Sequence, residues 1–419
     1  MPMNKQTSCD NEFDPNSLSF EQAQQRIQQH VTTLTGIRCV SIREALGRVL
    51  ADDVCSPINV PPFINSAMDG YAIHASDIPA SGDTTLKVIG KSFAGGPFNG
   101  TVQTGECVRI MTGAVVPEGA DTIIMQEHAE VAGDCIKIGS EHKKGQNVRH
   151  PGDDFSAGDI IIKAGERLSP AKLGLLASVG VTEFNVVRTP VVAFFSTGDE
   201  LKGVGKTLQP GDIYDSNRYI LFGMLQKMGV QCLDMGVIPD IKQQIEQTLK
   251  DAAKIADVVI TSGGASVGEA DYIKEILDEI GEVNFWKIAM KPGKPLAFGK
   301  INDALFFGLP GNPVSAMVTF YQFVQPSIKL LEGEIADNTV TLTARCLSKL
   351  KKRPGRKDFQ RGLLKTDENN ALVVDTTGIQ GSHMLSSMSK ANCFIVLAAD
   401  AGDIEAGTEV EVQPFSDLI

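Results

Sequence analysis

The chain has 419 residues, of which 42% are hydrophobic and 21% charged, and its formal net charge at pH 7 is −12. This is the composition of a globular protein, and at roughly 100 to 200 residues per domain the length predicts two to four domains. The negative charge argues against a nucleic-acid partner, and the lack of a run of about 18 apolar residues or of a secretory pattern argues against a membrane and predicts a cytoplasmic protein.

The first elements are predicted to be helical. Apolar residues recur every three or four positions between residues 18 and 34, which is the period of an amphipathic helix. Ser41 and Glu44 have the spacing of a capping box, and this pattern predicts a second helix over residues 46–50.

Short β-rich runs separated by Gly, Pro and Asp turns occupy residues 57–151. They predict a β-rich domain. The helical signal returns at SPAKLGLLAS (169–178), so the β-rich domain is interpreted as an insertion into a discontinuous helical domain. That helical domain would comprise residues 18–56 and 152–187.

Strand and helix patterns alternate between residues 188 and 334. Alternation of this kind predicts a three-layer α/β domain with a mostly parallel sheet covered on both faces. After residue 335 only strand patterns remain, which predicts a C-terminal β-barrel over 335–419. The predicted fold class is therefore multidomain α/β plus β.

Three carboxylates are predicted to meet at one edge of the parallel sheet. Glu200, Asp240 and Asp271 each follow a different predicted strand, and ligands of open α/β sheets bind beyond the carboxyl ends of the strands. Grouped carboxylates favour a hard cation, for which all-oxygen ligation indicates Mg²⁺. For Asp240 the alternative is a helix N-cap, a common role of Asp before a helix.

Glycine-rich or lysine-bearing loops follow three of the strands, as SGGASVGEAD (262–271), KPGKP (291–295) and GLPGNP (308–313). Gly263 and Gly264 allow the main chain to approach a ligand, and N–H groups ahead of a helix bind anions, so phosphate is the expected ligand. Each loop alone is more often a plain connector. The prediction depends on all of them sharing one edge.

Several other enzyme classes are disfavoured by spacing. Gly205, Lys206 and Thr207 are not a Walker loop, because Glu200 stands where that motif needs glycine. No G-x-G-x-x-G follows the first strand, which argues against a dinucleotide oxidoreductase. The eight cysteines and six histidines are dispersed, unlike the ligands of a zinc or iron–sulfur site.

Three polar segments are ambiguous on their own. NSAMDGYA (65–72) and RIMTGA (109–114) would, as isolated loops, be structural turns, and so would the turn containing Asp154. The basic run KLKKRPGRK (349–357) is predicted to be a solvated hairpin turn, with an anion site as the alternative.

Six motifs in order resemble those of the molybdopterin molybdenumtransferases, the molybdenum insertase family that includes the E domain of gephyrin. They are NSAMDGYA (65–72), RIMTGA (109–114), FSTGDEL (195–201), SGGASVGEADY (262–272), KPGKPLAFG (291–299) and GLPGNPVSA (308–316). The likeness spans nearly the whole chain after residue 18. It implies Mg²⁺-dependent insertion of molybdate into adenylylated molybdopterin with release of AMP.

The resemblance also implies residue roles and partners. Glu200, Asp240 and Asp271 would hold the metal or orient water, and Asp69 and Thr112 would complete the cleft from the partner subunit of a homodimer. Asp154 matches a family position without an assigned role, and Ala265 stands where relatives often have another small residue. The implied substrate-binding set is Gly263, Gly264, Ser266, Lys287, Lys291, Lys294, Pro310 and Pro313.

The dithiolene of the substrate would supply the sulfur ligands of molybdenum, which fits the scattered cysteines. The helical domain would serve as linker and dimerisation domain, and a transient contact with the molybdopterin adenylyltransferase is implied. Two other classes stay open, a different Mg²⁺-dependent nucleotidyl or phosphoryl transferase and a non-catalytic scaffold. Catalysis is favoured because grouped carboxylates repel one another, a cost that a scaffold has no need to accept.

Overall fold

A computed structural model describes residues 17–263, 271–335 and 340–415. The chain forms two compact units, each treated separately below. The larger unit comprises Met1–Arg38, Gly47–Val49 and Val186–Ile419, and the smaller unit comprises Cys39–Leu46 and Leu50–Asn185. No helix among the described residues combines the length and the apolar character needed to cross a membrane.

The chain up to residue 187 is built mainly from short strands. Its elements in order are α1 (Phe20–His30), β1 (Ile37–Ser41), β2 (Val54–Cys55), β3 (Asn65–Ser66), β4 (Gly70–Ile73), β5 (Thr84–Ser92), β6 (Glu106–Ile110), β7 (Thr122–Met125), β8 (Glu130–Ala132), β9 (Cys135–Ile138), β10 (Val148–Arg149), β11 (Ile160–Ile162), α2 (Pro170–Ser178) and β12 (Glu183–Val187). The smaller unit contains a six-stranded sheet in the order β7-β4-β6-β5-β9-β8. This sheet confirms the predicted β-rich character of the region.

The helix predicted over residues 46–50 is wrong. The capping box at Ser41 and Glu44 is present, but it caps a single 3₁₀ turn, Ile42–Glu44. The turn ends at Glu44, and Gly47 has a φ of +74°, which lies outside the helical region and excludes a helix over residues 46–50. The next residues are extended, since the Leu50 N–H donates to the Glu166 carbonyl at 3.1 Å.

The remaining elements form an α/β domain followed by a barrel. They are β13 (Val191–Thr197), β14 (Leu201–Lys202), β15 (Ile213–Tyr214), α3 (Asn217–Lys227), β16 (Gln231–Ile238), α4 (Lys242–Ile255), β17 (Val258–Ser262), α5 (Asp271–Ile280), β18 (Glu282–Lys287), β19 (Met290–Lys291), β20 (Pro295–Ile301), β21 (Ala304–Leu309), α6 (Pro313–Thr319), a π-helical segment (Phe320–Val324), α7 (Gln325–Leu331), β22 (Leu342–Cys346), β23 (Lys357–Thr366), β24 (Leu372–Thr376), α8 (Leu385–Met388), β25 (Cys393–Leu397) and β26 (Glu409–Pro414).

The α/β domain has one six-stranded sheet in the order β16-β13-β17-β21-β20-β18. Strands β16, β13, β17 and β21 are mutually parallel. Strand β20 is antiparallel to both β21 and β18, so β18 again runs with the parallel set. The predicted mostly parallel sheet is confirmed, and five of its six strands end at the same edge.

Alternate residues of the strands bury into two cores, one on each face of the sheet. Val192 and Phe194 of β13 join one core, whereas Ala193 and Phe195 join the other. The first core includes residues of α3, α6 and α7, and the second includes residues of α4 and α5. Both faces are therefore covered, which explains the continuous apolar runs in the strands.

Helix α1 packs on the first of these cores. Phe20, Ala23 and Ile27 are its buried residues, at the predicted helical spacing, and all three belong to the core of the larger unit. Ser19 caps the helix with a capping box. The predicted domain boundaries and the linker role of residues 18–56 and 152–187 stay predictions.

The C-terminal strands form a closed five-stranded barrel. Strands follow the order β23-β24-β22-β26-β25, and β25 also pairs with β23, which closes the ring. Strand β19 adds to the outside of β23, with Lys291 opposite Asp358. The predicted barrel is confirmed, and this strand pairing joins it to the segment KPGKP (291–295).

Candidate active site

The acidic loops at the carboxyl edge of the sheet touch one another. Strand β13 turns at Gly198, where φ is +146° and an added Cβ would lie 2.6 Å from Oε2 of Glu200. The Glu200 carboxylate therefore folds back over a residue that has to be glycine. In the next loop, the Asp240 N–H donates to Oδ1 of Asp199 at 3.2 Å. The loops that carry Glu200 and Asp240 are in contact, and both side chains are exposed.

The N-cap interpretation of Asp240 is wrong. Helix α4 begins at Lys242 and its N-cap residue is Ile241, which makes no side-chain capping bond. Asp240 is thus one residue too early to cap the helix. Its position in the loop after β16 leaves its carboxylate at the sheet edge.

Asp271 is the first residue of α5, but its side chain lies outside the described residues, as do Gly264 and Ser266. The meeting of all three carboxylates stays a prediction. Within the described part of the chain no three His, Cys, Asp or Glu side chains form a metal-binding group. Mg²⁺ is often bound by one or two carboxylates together with substrate phosphates and water, and the exposed carboxylates of Glu200 and Asp240 are oxygen donors of the kind that could take part in such a site.

Gly263 joins the ends of three neighbouring strands. It follows β17 directly, and its N–H donates to the Leu309 carbonyl of β21 at 3.2 Å. Its φ is +98°, and an added Cβ would lie 2.9 Å from the carbonyl oxygen of Thr197 in β13. Both the backbone conformation and the space available require glycine here.

A buried polar network at the same edge was not predicted from the sequence. Asn217 is 7% exposed, and its Nδ2 donates to Ser262 Oγ and to the Gly311 carbonyl, each at 2.7 Å. A carbonyl oxygen can only accept, so the amide nitrogen must face Gly311. Asn217 therefore ties the end of β17 to the loop before α6.

Asp215 supports this network from the same short segment. The buried Asp215 accepts hydrogen bonds from Ser196 Oγ and from Arg218 Nε, each at 3.2 Å. Arg218 also donates from Nη1 to Asp234 at 2.7 Å. The only sequence signal was the polar run YDSN (214–217), which on its own indicates the start of a helix.

The lysines of the predicted set lie along the segment between β18 and β20. Lys287 ends β18 at the carboxyl edge, Lys291 lies in β19, and Lys294 is half-buried. Gly293 has a φ of +104°, and an added Cβ would lie 2.6 Å from Thr319 Oγ1, so the segment lies against α6. Pro310 is buried after β21, and Pro313 is the first residue of α6.

Lys291 also faces a basic cavity of about 720 Å³ in the larger unit. Five basic and two acidic residues are among those that line it. The lining residues are Lys291, Lys351, Lys352, Arg353, Pro354, Arg356, Asp358, Gly402 and Asp403. Residues 354 and 355 form the predicted turn, but much of the basic run 349–357 lines the cavity.

Two buried charges belong to this cavity. Lys352 is 5% exposed and Asp358 is 4% exposed. Burial lowers the pKa of Lys352, and nearby Asp358 partly opposes this effect. Burial raises the pKa of Asp358, opposed by nearby Lys291 and by a hydrogen bond from Gln360.

In the smaller unit, Asp69 and Thr112, the two residues that the resemblance assigns to the cleft, are hydrogen-bonded to each other. Oδ1 of Asp69 accepts hydrogen bonds from the backbone N–H and from Oγ1 of Thr112, each at 2.7 Å. These two hydrogen bonds hold the pKa of Asp69 below its ordinary value, and the bond from the Thr112 N–H has the larger effect. The following Gly70 has no room for a Cβ, which would lie 1.9 Å from the Ile124 carbonyl oxygen.

Asp154 lies on the surface of the smaller unit. Its N–H donates to the Val60 carbonyl at 2.9 Å. The side-chain bond that stabilises this turn is made instead by Asp153, which accepts from the His150 N–H at 2.7 Å. The carboxylate that stabilises this turn is therefore that of Asp153, whereas the Asp154 side chain is exposed.

The larger unit thus has the arrangement of an α/β enzyme whose site lies at the carboxyl edge of a parallel sheet. Three family models match the chain in succession. They are the MoeA N-terminal region (domain I and II) over residues 18–180, a probable molybdopterin binding domain over 193–330 and the MoeA C-terminal region (domain IV) over 343–415.

Curated relatives give the same result over nearly the whole chain. A molybdopterin molybdenumtransferase of Haemophilus influenzae is 46% identical over 96% of this chain and 100% of its own length. Gephyrin of Dictyostelium discoideum is 34% identical over 89% of this chain and 58% of its own length. Among solved structures, a molybdopterin biosynthesis moeA protein of Pyrococcus horikoshii OT3 matches with a TM-score of 0.83 at 27% identity, covering 95% of this chain and 100% of that one.

The chain belongs to the molybdopterin molybdenumtransferase (MoeA) family of transferases, which act in molybdenum cofactor biosynthesis. The resemblance drawn from the six motifs is confirmed.

Proposed function

We propose that this enzyme carries out a Mg²⁺-dependent reaction of adenylylated molybdopterin with molybdate, which releases AMP and leaves molybdenum on the dithiolene. The observation that carries the proposal is the contact between the two acidic loops, made by the Asp240 N–H and the Asp199 carboxylate at 3.2 Å. It brings Glu200 and Asp240 to the edge at which Gly263 exposes the main chain.

In this proposal the acidic edge binds the phosphate end of the substrate. Glu200 and Asp240 would hold Mg²⁺, with Asp271 as a third candidate, and Glu200 would also orient the attacking water. Bound Mg²⁺ would supply the positive charge that lets the carboxylates and an anionic phosphoanhydride share one site. Gly263 allows the phosphate to approach the backbone, and Gly264 and Ser266 would extend the same loop.

The basic cavity would hold molybdate. A tetrahedral oxyanion with two negative charges is attracted by the five basic residues, which outnumber the two acidic ones. Lys291 connects this cavity to the loop that carries Lys287 and Lys294. Guanidinium groups such as those of Arg353 and Arg356 match the geometry of tetrahedral oxyanions, to which they can donate two hydrogen bonds at once.

We further propose a cytoplasmic homodimer in which Asp69 and Thr112 serve the site of the partner subunit. Asp69 is suited to a role as an anion, because two hydrogen bonds from Thr112 favour its ionised form. A transient contact with the molybdopterin adenylyltransferase would deliver the adenylylated substrate.

The test is an AMP-release assay with the full chain. Purified protein is incubated with adenylylated molybdopterin, Mg²⁺ and molybdate, and AMP is quantified by chromatography. Glu200→Ala and Asp240→Ala should release little AMP while retaining the circular dichroism of the wild type. The matched control is Glu282→Ala, since Glu282 is an exposed carboxylate at the start of β18, at the opposite edge of the same sheet.

The alternatives predict different results. Tight pterin binding without AMP release by the wild type would favour a scaffold. Nucleotide turnover in the absence of any pterin would favour another transferase. Full activity of Glu200→Ala and Asp240→Ala would contradict the role assigned to the acidic edge.

A further inference from the structure

We propose that Lys352 is a positioning residue of the basic cavity. Its buried ammonium holds the turn at residues 353–356 in the conformation that places Arg353 and Arg356 at the cavity wall. The inference rests on the proposed function, because it concerns how the cavity recognises an oxyanion.

The hydrogen bonds of Lys352 converge on the main chain of this turn. Its Nζ donates to the carbonyl of Arg356 at 2.7 Å, to that of Arg353 at 3.1 Å and to that of Ala399 at 3.5 Å. An ammonium group has three N–H donors, and each has a carbonyl partner. Lys352 is therefore engaged with the backbone, although it lines the cavity.

Two carbonyls of one short turn facing a single cation restrict the turn strongly. A peptide unit is planar, so fixing a carbonyl direction fixes the orientation of the whole unit. The bonds from Lys352 thus set the peptide planes that follow Arg353 and Arg356. Those planes in turn limit the directions in which the two guanidinium groups can extend.

Further hydrogen bonds hold this turn to the connection between β25 and β26. The Lys352 N–H donates to Oδ1 of Asp403 at 2.8 Å, and the Gly355 N–H donates to the Ala399 carbonyl at 2.7 Å. Gly355 has a φ of +109°, which favours glycine at the centre of the turn. The Lys352 ammonium therefore joins both ends of this turn to Ala399, in the connection between β25 and β26.

Burying an ammonium is costly unless nearby groups offset its charge. Asp358 does so from β23, where it is 4% exposed and accepts a hydrogen bond from Gln360 Nε2 at 3.2 Å. The same Gln360 nitrogen donates to the Lys351 carbonyl at 3.0 Å, so the carboxylate is itself fixed against the lysine segment. The Lys352 ammonium is thus stabilised where it is buried, as expected of a group that fixes the conformation of the turn at residues 353–356.

The test compares Lys352→Met with Lys351→Met. Lys351 is exposed, is adjacent in sequence and lines the same cavity, so both variants lose one positive charge from one place. Lys352→Met should raise the KM for molybdate at least about tenfold and leave kcat within about threefold, since it perturbs recognition and not the chemical step. Lys351→Met removes one of the five positive charges that attract molybdate, so it should also raise the KM, by about two- to threefold, which measures the effect of losing charge alone. Calorimetric titration with molybdate alone should show the same order.

Equal effects of the two methionine substitutions would overturn the inference. If Lys352→Met fails to fold, Lys352→Arg compared with Lys351→Arg decides the matter. Arginine keeps the charge, but its planar donors cannot converge on three carbonyls as an ammonium does. A raised KM in Lys352→Arg alone supports the positioning role, and an unchanged KM refutes it.

The wild type separates this inference from the proposed function. If the wild type neither binds molybdate nor releases AMP from the adenylylated substrate, the proposed function fails. If the wild type does both and the Lys352 and Lys351 variants behave alike, only the positioning role fails.

Discussion

Gly263→Ala is the substitution whose effect the structure defines most closely. Gly263 has a φ of +98°, and a new Cβ would meet the Thr197 carbonyl oxygen at 2.9 Å and Thr197 Oγ1 at 3.1 Å. The closest obstacle is the backbone of β13, an interior strand that cannot move without disturbing its pairing with β16 and β17. The strain therefore falls on the end of β17 and on the loop that begins there.

The expected cost can be built from separate contributions. A positive φ costs an L-residue about 1–2 kcal/mol, and relieving a backbone contact by bending bond angles costs about 1 kcal/mol. Alanine restricts the unfolded chain and returns about 0.4–1 kcal/mol. The net loss is about 2 kcal/mol, which corresponds to a roughly 30-fold lower population of the native loop conformation.

Gly311→Ala is the matched control. Gly311 lies in the loop after β21 at the same edge, and an added Cβ there has no neighbour within 4 Å. Thermal melting should show a midpoint lowered by roughly 4–8 °C for Gly263→Ala and little change for Gly311→Ala. AMP release should fall at least about tenfold in the first variant only. Equal melting and equal activity of the two variants would refute the argument from backbone conformation.

Three further predictions follow from other parts of the molecule. Thr112→Val removes the hydroxyl that helps to lower the pKa of Asp69, so this pKa should rise and the acidic limb of the pH–activity profile should move to higher pH. If the acidic limb does not move, the ionisation of Asp69 does not determine it. Asn217→Ala leaves Ser262 Oγ and the Gly311 carbonyl without their donor and should lower the free energy of unfolding by roughly 1–3 kcal/mol, with Asn217→Asp behaving similarly because a carboxylate cannot donate. Mixing the inactive variants Asp69→Ala and Glu200→Ala under subunit exchange should restore about one quarter of wild-type AMP release if a homodimer shares its sites, whereas no recovery would contradict the shared site.

The fold was predictable wherever the residues of a segment determine its secondary structure without help from distant parts of the chain. Strands β6 and β7 are examples from the predicted β-rich region, because each is a short run rich in β-branched residues between turn residues. The helix predicted after Ser41 failed because a capping box shows only that a helical turn can start. Whether it continues depends on the next residues, and here the turn ends at Glu44 while Gly47, with a φ of +74°, excludes a helix over residues 46–50.

Strand β23 shows a different limit. Its sequence KDFQRGLLKT has no regular alternation of apolar and polar residues. The strand forms because it pairs with β24, β25 and β19 at once, and it buries polar Asp358, Gln360 and Arg361 among these neighbours. A pattern that depends on three partner strands cannot be recognised from one segment alone.

The candidate site was predictable to the extent that topology decides it. The parallel strand order brings the loops of Glu200 and Asp240 together, and this follows from the alternation of strands and helices. Asn217 and Lys352 were missed because each acts through hydrogen bonds to backbone carbonyls whose positions depend on the folded chain, distant in sequence for Asn217 and both in the adjacent turn and at Ala399 for Lys352. A polar residue before a helix, or a lysine in a basic run, has the same local sequence signal whether or not such partners exist.

The position of the lysine segment has a consequence for the proposed reaction. Grouped carboxylates at the sheet edge repel a molybdate dianion, so the oxyanion needs a separate binding place within reach of the phosphate site. Strand β18 ends at that edge with Lys287, and four residues later Lys291 pairs with β23 of the barrel beside the basic cavity. The segment KPGKP (291–295) is held against α6, where Gly293 has room for no side chain beside Thr319. In the proposed reaction, this short, fixed connection would let two anionic substrates bind at once, because Mg²⁺ would offset the charge of the phosphate at the acidic edge and the basic side chains would offset that of molybdate in the cavity.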